Sequence, residues 1–466
     1  MNIRELSNNE EIINFLNQNS YEYVKVGITD IDGVLRGKYM HVQKFIKSLK
    51  EGFGFCDVIF GWDSADDLYG YTSAENKDVL SGWKTGYPDV KVQIIPSSGR
   101  IIPFEKETPF FLCELEEPEI CPRGILNKIL KKYQEKDLTA KASFEYEFFL
   151  FRESPSSIRE KKFTNLIPFT PGMFGYSVLR SSVESDFYQK ILSMCSTMDM
   201  QLEGLHTETG PGVIEGAISY DEAMISADKA TLFKTFMKVL AQKNNLIANF
   251  MAKWSENYPG QSGHIHCSIW DKSNKPIFTD ETNNSFSEDF KFFIGGLQKY
   301  MREFCVLLAP TVNSYQRLTP GAWAPISLTW GIENRTVGFR AIPGNPQSQR
   351  IENRLPGADA NPYLALAAML GAGLLGIEEK ILPSASTDNN AYFLNLQENM
   401  QTPKNLKEAS SLFKNSKSAQ ELFGDHFVKH FSATRDWEYL QFKRSKKPFH
   451  SKRISYWELN RYFEII

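Results

Sequence analysis

Apolar and polar positions alternate with a period of two at several places along the chain. Val24, Val26 and Ile28 face one way and Tyr23, Lys25 and Gly27 the other, with turn chemistry behind them in Asp30-Ile31-Asp32-Gly33. Val90, Val92 and Ile94 repeat the pattern ahead of Pro96-Ser97-Ser98-Gly99. The spacing predicts a small β-rich module over residues 22–105, and the acidic, proline-bearing stretch Glu114 to Pro122 is its candidate boundary. Beyond it the period becomes helical, from Leu232 through Phe236, Val239 and Leu240. Asn361 followed by Pro362 reads as an N-cap with proline at the first helical position. The helix it opens is apolar all round from Tyr363 to Ile377 and is broken by three glycines. It is shorter than a bilayer needs, which predicts a buried helix. Ser384 to Asn390 reads as a polar loop.

The same alternation places charge inside strands. From Lys141 to Leu150, Phe144, Tyr146 and Phe148 share one face and Glu145 and Glu147 the other, about 7 Å apart along the backbone. Phe149 and Phe151 continue the glutamate face, which argues against a solvated edge. His206 to Glu215 reads as two strand ends joined by Gly210-Pro211-Gly212, a turn that can bring Glu208 and Glu215 to one place. After Gly260-Gln261-Ser262-Gly263, the residues His264, His266, Ser268 and Trp270 share a face, with Ile265, Cys267 and Ile269 opposite. Two of the chain's seven histidines on one strand face point to a ligand site. Arg350, Glu352 and Arg354 share another face. Arg317, Arg335 and Arg340 add guanidinium groups suited to carboxylate and phosphate. Arg335 and Arg340 are an odd number apart and meet only if a turn or bulge intervenes.

Composition narrows the choice. The 466 residues, 42% apolar and 23% charged, have the balance of a globular protein large enough for two cores. A net charge of −3 gives no basic field for nucleic acid. The polar start Met1 to Leu6 carries no signal core, and the six cysteines form no C-x-x-C pair, which predicts reduced thiols and a cytoplasmic protein. The donors are mostly carboxylate oxygens, which favours Mg²⁺ or Mn²⁺ over structural zinc. Hard cations beside arginines suit phosphoryl transfer. Gly33 to Lys38 is one residue short of a P-loop, and no Rossmann fingerprint is present. His426-Phe427-Val428-Lys429-His430 reads as a solvated helix face, and Lys443 to Arg453 as a surface or subunit contact.

These segments, in this order, resemble the type I branch of the glutamine synthetase family. The resemblance rests on Glu145-Tyr146-Glu147, Gly210-Pro211-Gly212 ahead of Glu215, Ser262 to His266, Asn313 to Leu318, Asn334-Arg335, Arg340, Arg350 to Arg354 and Asn361-Pro362-Tyr363-Leu364. It implies an α+β fold with a small β-grasp-like N-terminal domain at 18–106. A catalytic domain at 112–466 would hold a curved antiparallel sheet flanked by helices. It implies ATP and Mg²⁺ or Mn²⁺, one metal on Glu147, Glu208 and Glu215, the other on Glu145, His264 and Glu352. His266 and Arg340 would lie near ATP phosphates. Arg317, Arg354 and Gly260 would hold the carboxylate substrate, and Arg335 the transferring phosphoryl group. Asp63, in Trp62-Asp63-Ser64-Ala65-Asp66, would serve the amine site of a neighbouring subunit. The implied assembly is a homo-oligomer, two stacked hexameric rings, with no nucleic-acid or membrane partner.

The departures from the family pattern fall around glutamate and on the amine side. The family's flap glutamate is replaced by Trp323 in Leu318-Thr319-Pro320-Gly321-Ala322-Trp323-Ala324-Pro325. An indole cannot take a proton from ammonium, but it offers an apolar and cation-π surface to an alkylammonium. Pro259, Gln347 and Val213 stand at an asparagine, a lysine and a glutamine position of the family. The expectation is therefore a ligase joining glutamate to an organic amine through a γ-glutamyl phosphate, as in γ-glutamylpolyamine or γ-glutamylethanolamide synthetases. The alternatives are an ammonium-using glutamine synthetase and an inactive, lengsin-like structural homologue.

Overall fold

The computed structural model of the chain describes residues 3–69, 78–117, 119–280, 285–445 and 454–466. Two sheets, each with its own apolar core, organise these residues. The first has six strands in the order β2-β1-β6-β4-β3, with β5 on β6. They are β1 (Tyr23–Thr29), β2 (Leu35–His41), β3 (Phe53–Cys56), β4 (Asp89–Ile94), β5 (Arg100–Ile102) and β6 (Thr108–Leu115). Val24, Val26 and Ile28 are buried, as their alternation requires. Helices Asn9–Gln18 and Val42–Glu51 add Ile12, Phe15, Leu16, Phe45 and Leu49 to this core.

The first sheet and its core extend beyond residues 18–106, and the sheet ends inside the candidate boundary Glu114 to Pro122. The sheet runs to Leu115, past residue 106, because β6 pairs in parallel with β1 and antiparallel with β4. Its core also takes in Ile3 and Leu6, ahead of residue 18. Partners so distant in sequence leave no local mark on the strand they choose.

The second sheet has nine strands in the order β15-β16-β17-β12-β7-β9-β8, with β10 and β11 also paired to β7. Its members are β7 (Leu138–Phe151), β8 (Leu202–Thr207), β9 (Val213–Ile218), β10 (Asp221–Glu222), β11 (Ile247–Asn249), β12 (Gly263–Asp271), β15 (Trp330–Ile332), β16 (Phe339–Ile342) and β17 (Arg350–Asn353). A separate ribbon is formed by β13 (Thr279–Asp280) and β14 (Ser285–Phe286). Every pairing in the nine-stranded sheet is antiparallel except β15 with β16. One face sends Phe144, Tyr146, Phe148, Ile265, Cys267 and Ile269 into the large core with helices Pro122–Gln134, Ala223–Lys243 and Pro362–Glu378. The other face carries the acids and histidines.

Helix Pro362–Glu378 is capped by Asn361, whose Oδ1 accepts the Tyr363 N–H at 3.1 Å. It packs against helix Glu288–Phe304 closely enough that a Cβ on Gly296 would lie 2.7 Å from Gly376 N. Only glycine allows that approach. Among the described residues, no helix is long and apolar enough to cross a membrane.

The turn Asp30–Gly33 docks the small module onto the large one. Asn361 Nδ2 donates to the carbonyls of Asp30 and Ile31 at 3.2 and 3.3 Å, and buried Arg435 pairs with Asp32 at 2.6 Å. This docking corrects the reading of His426 to His430. His426 is exposed and meets Glu119, but His430 is fully buried, and its Nδ1 accepts the Leu80 N–H at 3.1 Å. One helix face here is partly covered by the small module, which helical spacing alone does not reveal. In the run Lys443 to Arg453, residues 446–453 lie outside the described residues.

Candidate active site

Strand register sets the functional side chains in rows across the second sheet. Glu215 on β9 stands opposite both His206 on β8 and Glu147 on β7. His264 on β12 stands opposite Glu145. Glu352 on β17 stands opposite His266 and Arg340. Directly opposed residues are 4.5–5.5 Å apart at Cβ, so each row converges with no help from loops. The turn expected at Gly210-Pro211-Gly212 returns the chain from β8 to β9, with Gly212 at φ +76°. A Cβ there would meet the Leu150 carbonyl at 2.6 Å.

Two groups of metal-type donors result. In Glu145, His264 and Glu352, His264 Nδ1 lies 3.3 Å from Glu352 and 3.8 Å from Glu145. In His206, Glu208 and Glu215, His206 Nε2 lies 3.6 Å from each carboxylate. That separation is long for a hydrogen bond, and this nitrogen has no hydrogen-bond partner among the described residues. Ligand atoms about 2.1 Å from one divalent ion sit roughly 3.0–3.6 Å from each other, which the His206 separations and His264–Glu352 match and which Glu145 exceeds slightly. Glu147, expected with Glu208 and Glu215, lies outside this group, and its Oε2 accepts the Ser262 N–H at 2.8 Å. His206 takes the place beside them, with its ring stacked on Tyr176 at 4.3 Å.

The charge states suit cation binding. Burial pushes Glu215 up to about 9, reinforced by the facing Glu147 and then Glu145. Like charges so close call for a cation or a proton. Burial also opposes ionisation of Glu352, but Arg354 and then His264 hold it at about 2. Glu145 is buried too, and its histidine neighbours, His266 foremost, keep it well below the usual carboxylate range. Burial and nearby Arg354 lower His264, which favours the neutral imidazole that a metal requires.

These residues line a cavity of about 470 Å³ with Gly260, Arg317, Trp323, Arg335, Arg340 and Arg354. Arg317 is buried, and its Nη1 and Nη2 donate to the carbonyls of Leu355 and Arg354. Gly260 is required beside it, since a Cβ there would meet Arg317 Cγ at 2.6 Å. Arg354 and Arg340 both pair with Glu352, and Arg340 also with Glu333. The turn between β15 and β16 brings exposed Arg335 and Arg340 to the same cavity despite their odd spacing. Trp323 stands at φ +59° and is 60% exposed at the mouth. A second cavity, about 210 Å³, shares Glu145 and adds Lys141, Ser143, His266, Gln347 and Arg350. His266 therefore serves this neighbour, with Nε2 3.2 Å from Glu145 and Nδ1 accepting Arg350 Nε at 3.2 Å.

Asp63 departs from its expected role. It is 1% exposed, pairs with Arg461, and accepts Trp437 Nε1 at 2.9 Å. Its Oδ1 accepts the N–H groups of Ala65 and Asp67. A carboxylate closed on its own turn and on a buried guanidinium has nothing left for a neighbour's amine. The exposed acids of this turn are Asp66 and Asp67, with side chains 57% and 70% exposed.

Residues 119–462 match the glutamine synthetase catalytic domain. The chain belongs to the glutamine synthetase family. A type-1 glutamine synthetase 2 of Dictyostelium discoideum is 41% identical, over 99% of this chain and 87% of that protein. A glutamate–isopropylamine ligase of a Pseudomonas species is 33% identical over 98% of each chain. A solved GmaS/ADP complex is 25% identical with a TM-score of 0.79, covering 96% of this chain and 98% of that one. The chain is thus a ligase with the α+β glutamine synthetase fold, from a family that in general uses ATP, divalent metal, glutamate and an amine. The sequence reading passed over His206 and Tyr176. His206 had a signal, since it shares a strand face with Glu208; Tyr176 had none, because only folding brings residues 174–177 to β8.

Proposed function

We propose that this ligase joins glutamate to an organic amine and makes a γ-glutamyl amide at the expense of ATP. The observation that carries the reading is Trp323. It sets an exposed indole in the wall of the cavity, on the side where this reading has the amine enter. An indole attracts an alkylammonium through its π face and excludes water, but it does not bind ammonium as a carboxylate would. The 33% identical glutamate–isopropylamine ligase supports the same substrate class.

The residues divide the work. Glu145, His264 and Glu352 would hold one divalent ion, and Glu208 and Glu215, with Glu147 and His206, a second. When bound, the ions neutralise phosphate oxygens and polarise the phosphoryl group. Arg317 and Arg354 would orient the glutamate carboxylates, and Gly260 leaves room for the Arg317 side chain in the cavity wall. His266 and Arg350 face the neighbouring cavity, which would take the nucleotide, while Arg340 and Arg335 reach its phosphates. The γ-carboxylate oxygen attacks the terminal phosphorus of ATP and ADP leaves. The alkylammonium gives one proton to solvent and its free nitrogen attacks the acyl carbon; phosphate departs with the C–O bond electrons and takes up the second proton that nitrogen sheds. Activation is needed because a free carboxylate has no usable leaving group.

The assembly belongs to this proposal as a homo-oligomer of two stacked hexameric rings. Helix Val178–Val183 buries none of its residues and exposes Val178, Leu179 and Val183, with Met173 and Phe174 just before it. An apolar patch of that extent beside a cavity suits a subunit contact. In such an assembly Asp66 or Asp67 would face the neighbour's amine.

The deciding experiment measures ATP-dependent phosphate release and amide product with glutamate and a panel of amines that includes ammonium. A Glu147→Ala control shows that turnover depends on the metal site. Turnover with a small alkylamine well above ammonium is expected. Strong turnover with ammonium alone would mark a glutamine synthetase, and none with any amine an inactive scaffold.

A further inference from the structure

Where the Trp323 loop meets the segment after residue 390 lies a third, partly open cavity of about 370 Å³, lined by Leu318, Pro320, Ile326, Ala391 and Leu394 among others. Within the loop, Trp323 has a backbone conformation that a tryptophan rarely adopts. Two side-chain hydrogen bonds hold it at this point. Arg354 Nη2 donates to the Trp323 carbonyl at 3.5 Å, at the limit of such a bond. Tyr392 Oη donates to the Ala324 carbonyl at 3.0 Å.

Tyr392 is itself fixed. Its N–H is taken by Asn390 Oδ1 at the start of the short turn Ala391–Phe393. The segment leading into that turn is tied to the loop that carries Arg335. Asn334 Nδ2 donates to the carbonyls of Thr387 and Asn389 at 2.8 and 2.9 Å. The Ala391 N–H donates to Thr336 Oγ1 at 2.9 Å, and Thr336 Oγ1 in turn donates to Asn334 Oδ1 at 2.7 Å. Asn334 and Thr336 flank Arg335 on both sides.

We infer that residues 387–392 form a bracket that couples the Arg335 turn to the Trp323 loop, with the Tyr392 hydroxyl as its positioning contact on the amine side. The inference rests on the ligase reading above and extends it. Arg335 meets the phosphoryl group, and Trp323 stands where the amine enters. A rigid link between them lets the phosphoryl-bound state set the entrance for the amine. An acyl phosphate exposed to water instead of amine would hydrolyse, with water oxygen going to phosphate or to the regenerated carboxylate, and ATP would be lost without product. The bracket lowers that loss by holding the Trp323 loop in the position that meets the amine.

Tyr392→Phe removes one hydroxyl and keeps the ring. It is expected to raise KM for the amine roughly fivefold or more, with kcat and the KM values for ATP and glutamate changed less than about twofold. ADP released per amide formed should rise above one at low amine. Thr336→Val loosens the other end, where the two Asn334 Nδ2 bonds remain, and should give the same split in smaller measure, while Thr336→Ser restores the parent values. The Tyr392→Phe/Thr336→Val double variant should be no worse than Tyr392→Phe alone, because that change already breaks the link at the Trp323 loop. Amide hydrogen exchange over residues 319–325 reads the bracket independently of turnover, and it should quicken in both single variants. Unchanged exchange, an unchanged amine KM or additive single effects would each overturn the bracket. Absence of amide product from the parent protein would overturn the ligase reading instead, with exchange still deciding the link.

Discussion

The two halves of the cavity are built differently. The metal half stands on β7, β8, β9, β12 and β17, where cross-strand register alone brings Glu145, Glu215, His264 and Glu352 together, with Glu352 1% exposed. The proposed amine side stands on a loop, where Trp323 is 60% exposed. The sheet side holds chemistry that tolerates little displacement, since ligand atoms must converge within fractions of an ångström. The loop side can change residue by residue without disturbing that geometry, which is where substrate choice belongs.

The harshest way to break this contrast is to strike the sheet side. Glu352→Gln leaves Arg354 and Arg340 short of a buried counter-charge and removes a metal donor. Turnover should fall roughly 10²–10³-fold, and denaturant titration should show a loss of about 3–5 kcal/mol. A stable, active Glu352→Gln protein would show that the sheet side is not the rigid partner.

Next in size is the loop side. Trp323→Glu should shift the ratio of alkylamine to ammonium turnover toward ammonium by about 10-fold, while calorimetric Mn²⁺ affinity stays the same. A change in metal affinity would mean the halves are not separable. His206→Ala sharpens the boundary between them, because the ring touches both Tyr176 and the acid pair. We expect Mn²⁺ binding to weaken about 10-fold, with less effect on Mg²⁺, for which imidazole is the poorer donor. Equal losses for the two ions would assign His206 to shaping the loop instead.

The smallest effect is read through pH. Glu215 keeps its proton up to about 9, against about 4.3 for an unfolded glutamate. Between those values the metal-free folded state binds more protons than the unfolded one, so its stability falls as pH rises through that window. Metal displaces the proton, so Mn²⁺ affinity should climb with pH from 6 to 8, by up to about tenfold per unit. Melting temperatures with and without Mn²⁺ across this range check both slopes. A metal-free protein that gains stability toward pH 8 would contradict the assignment.

The metal half was legible in the chain and the amine half much less so, and the reason is physical. A strand has a side-chain period of two, so Glu145 with Glu147, and His264 with His266, declare a common face before any fold is known. Asn361-Pro362 declares a helix start in the same local way. Which strand lies beside which is a long-range matter. Only the tertiary structure set Glu215 between His206 and Glu147, carried the first sheet to Leu115 and buried His430 beneath the small module. It also turned Asp63 inward onto Arg461, a partner almost four hundred residues away in sequence that no local pattern could have named.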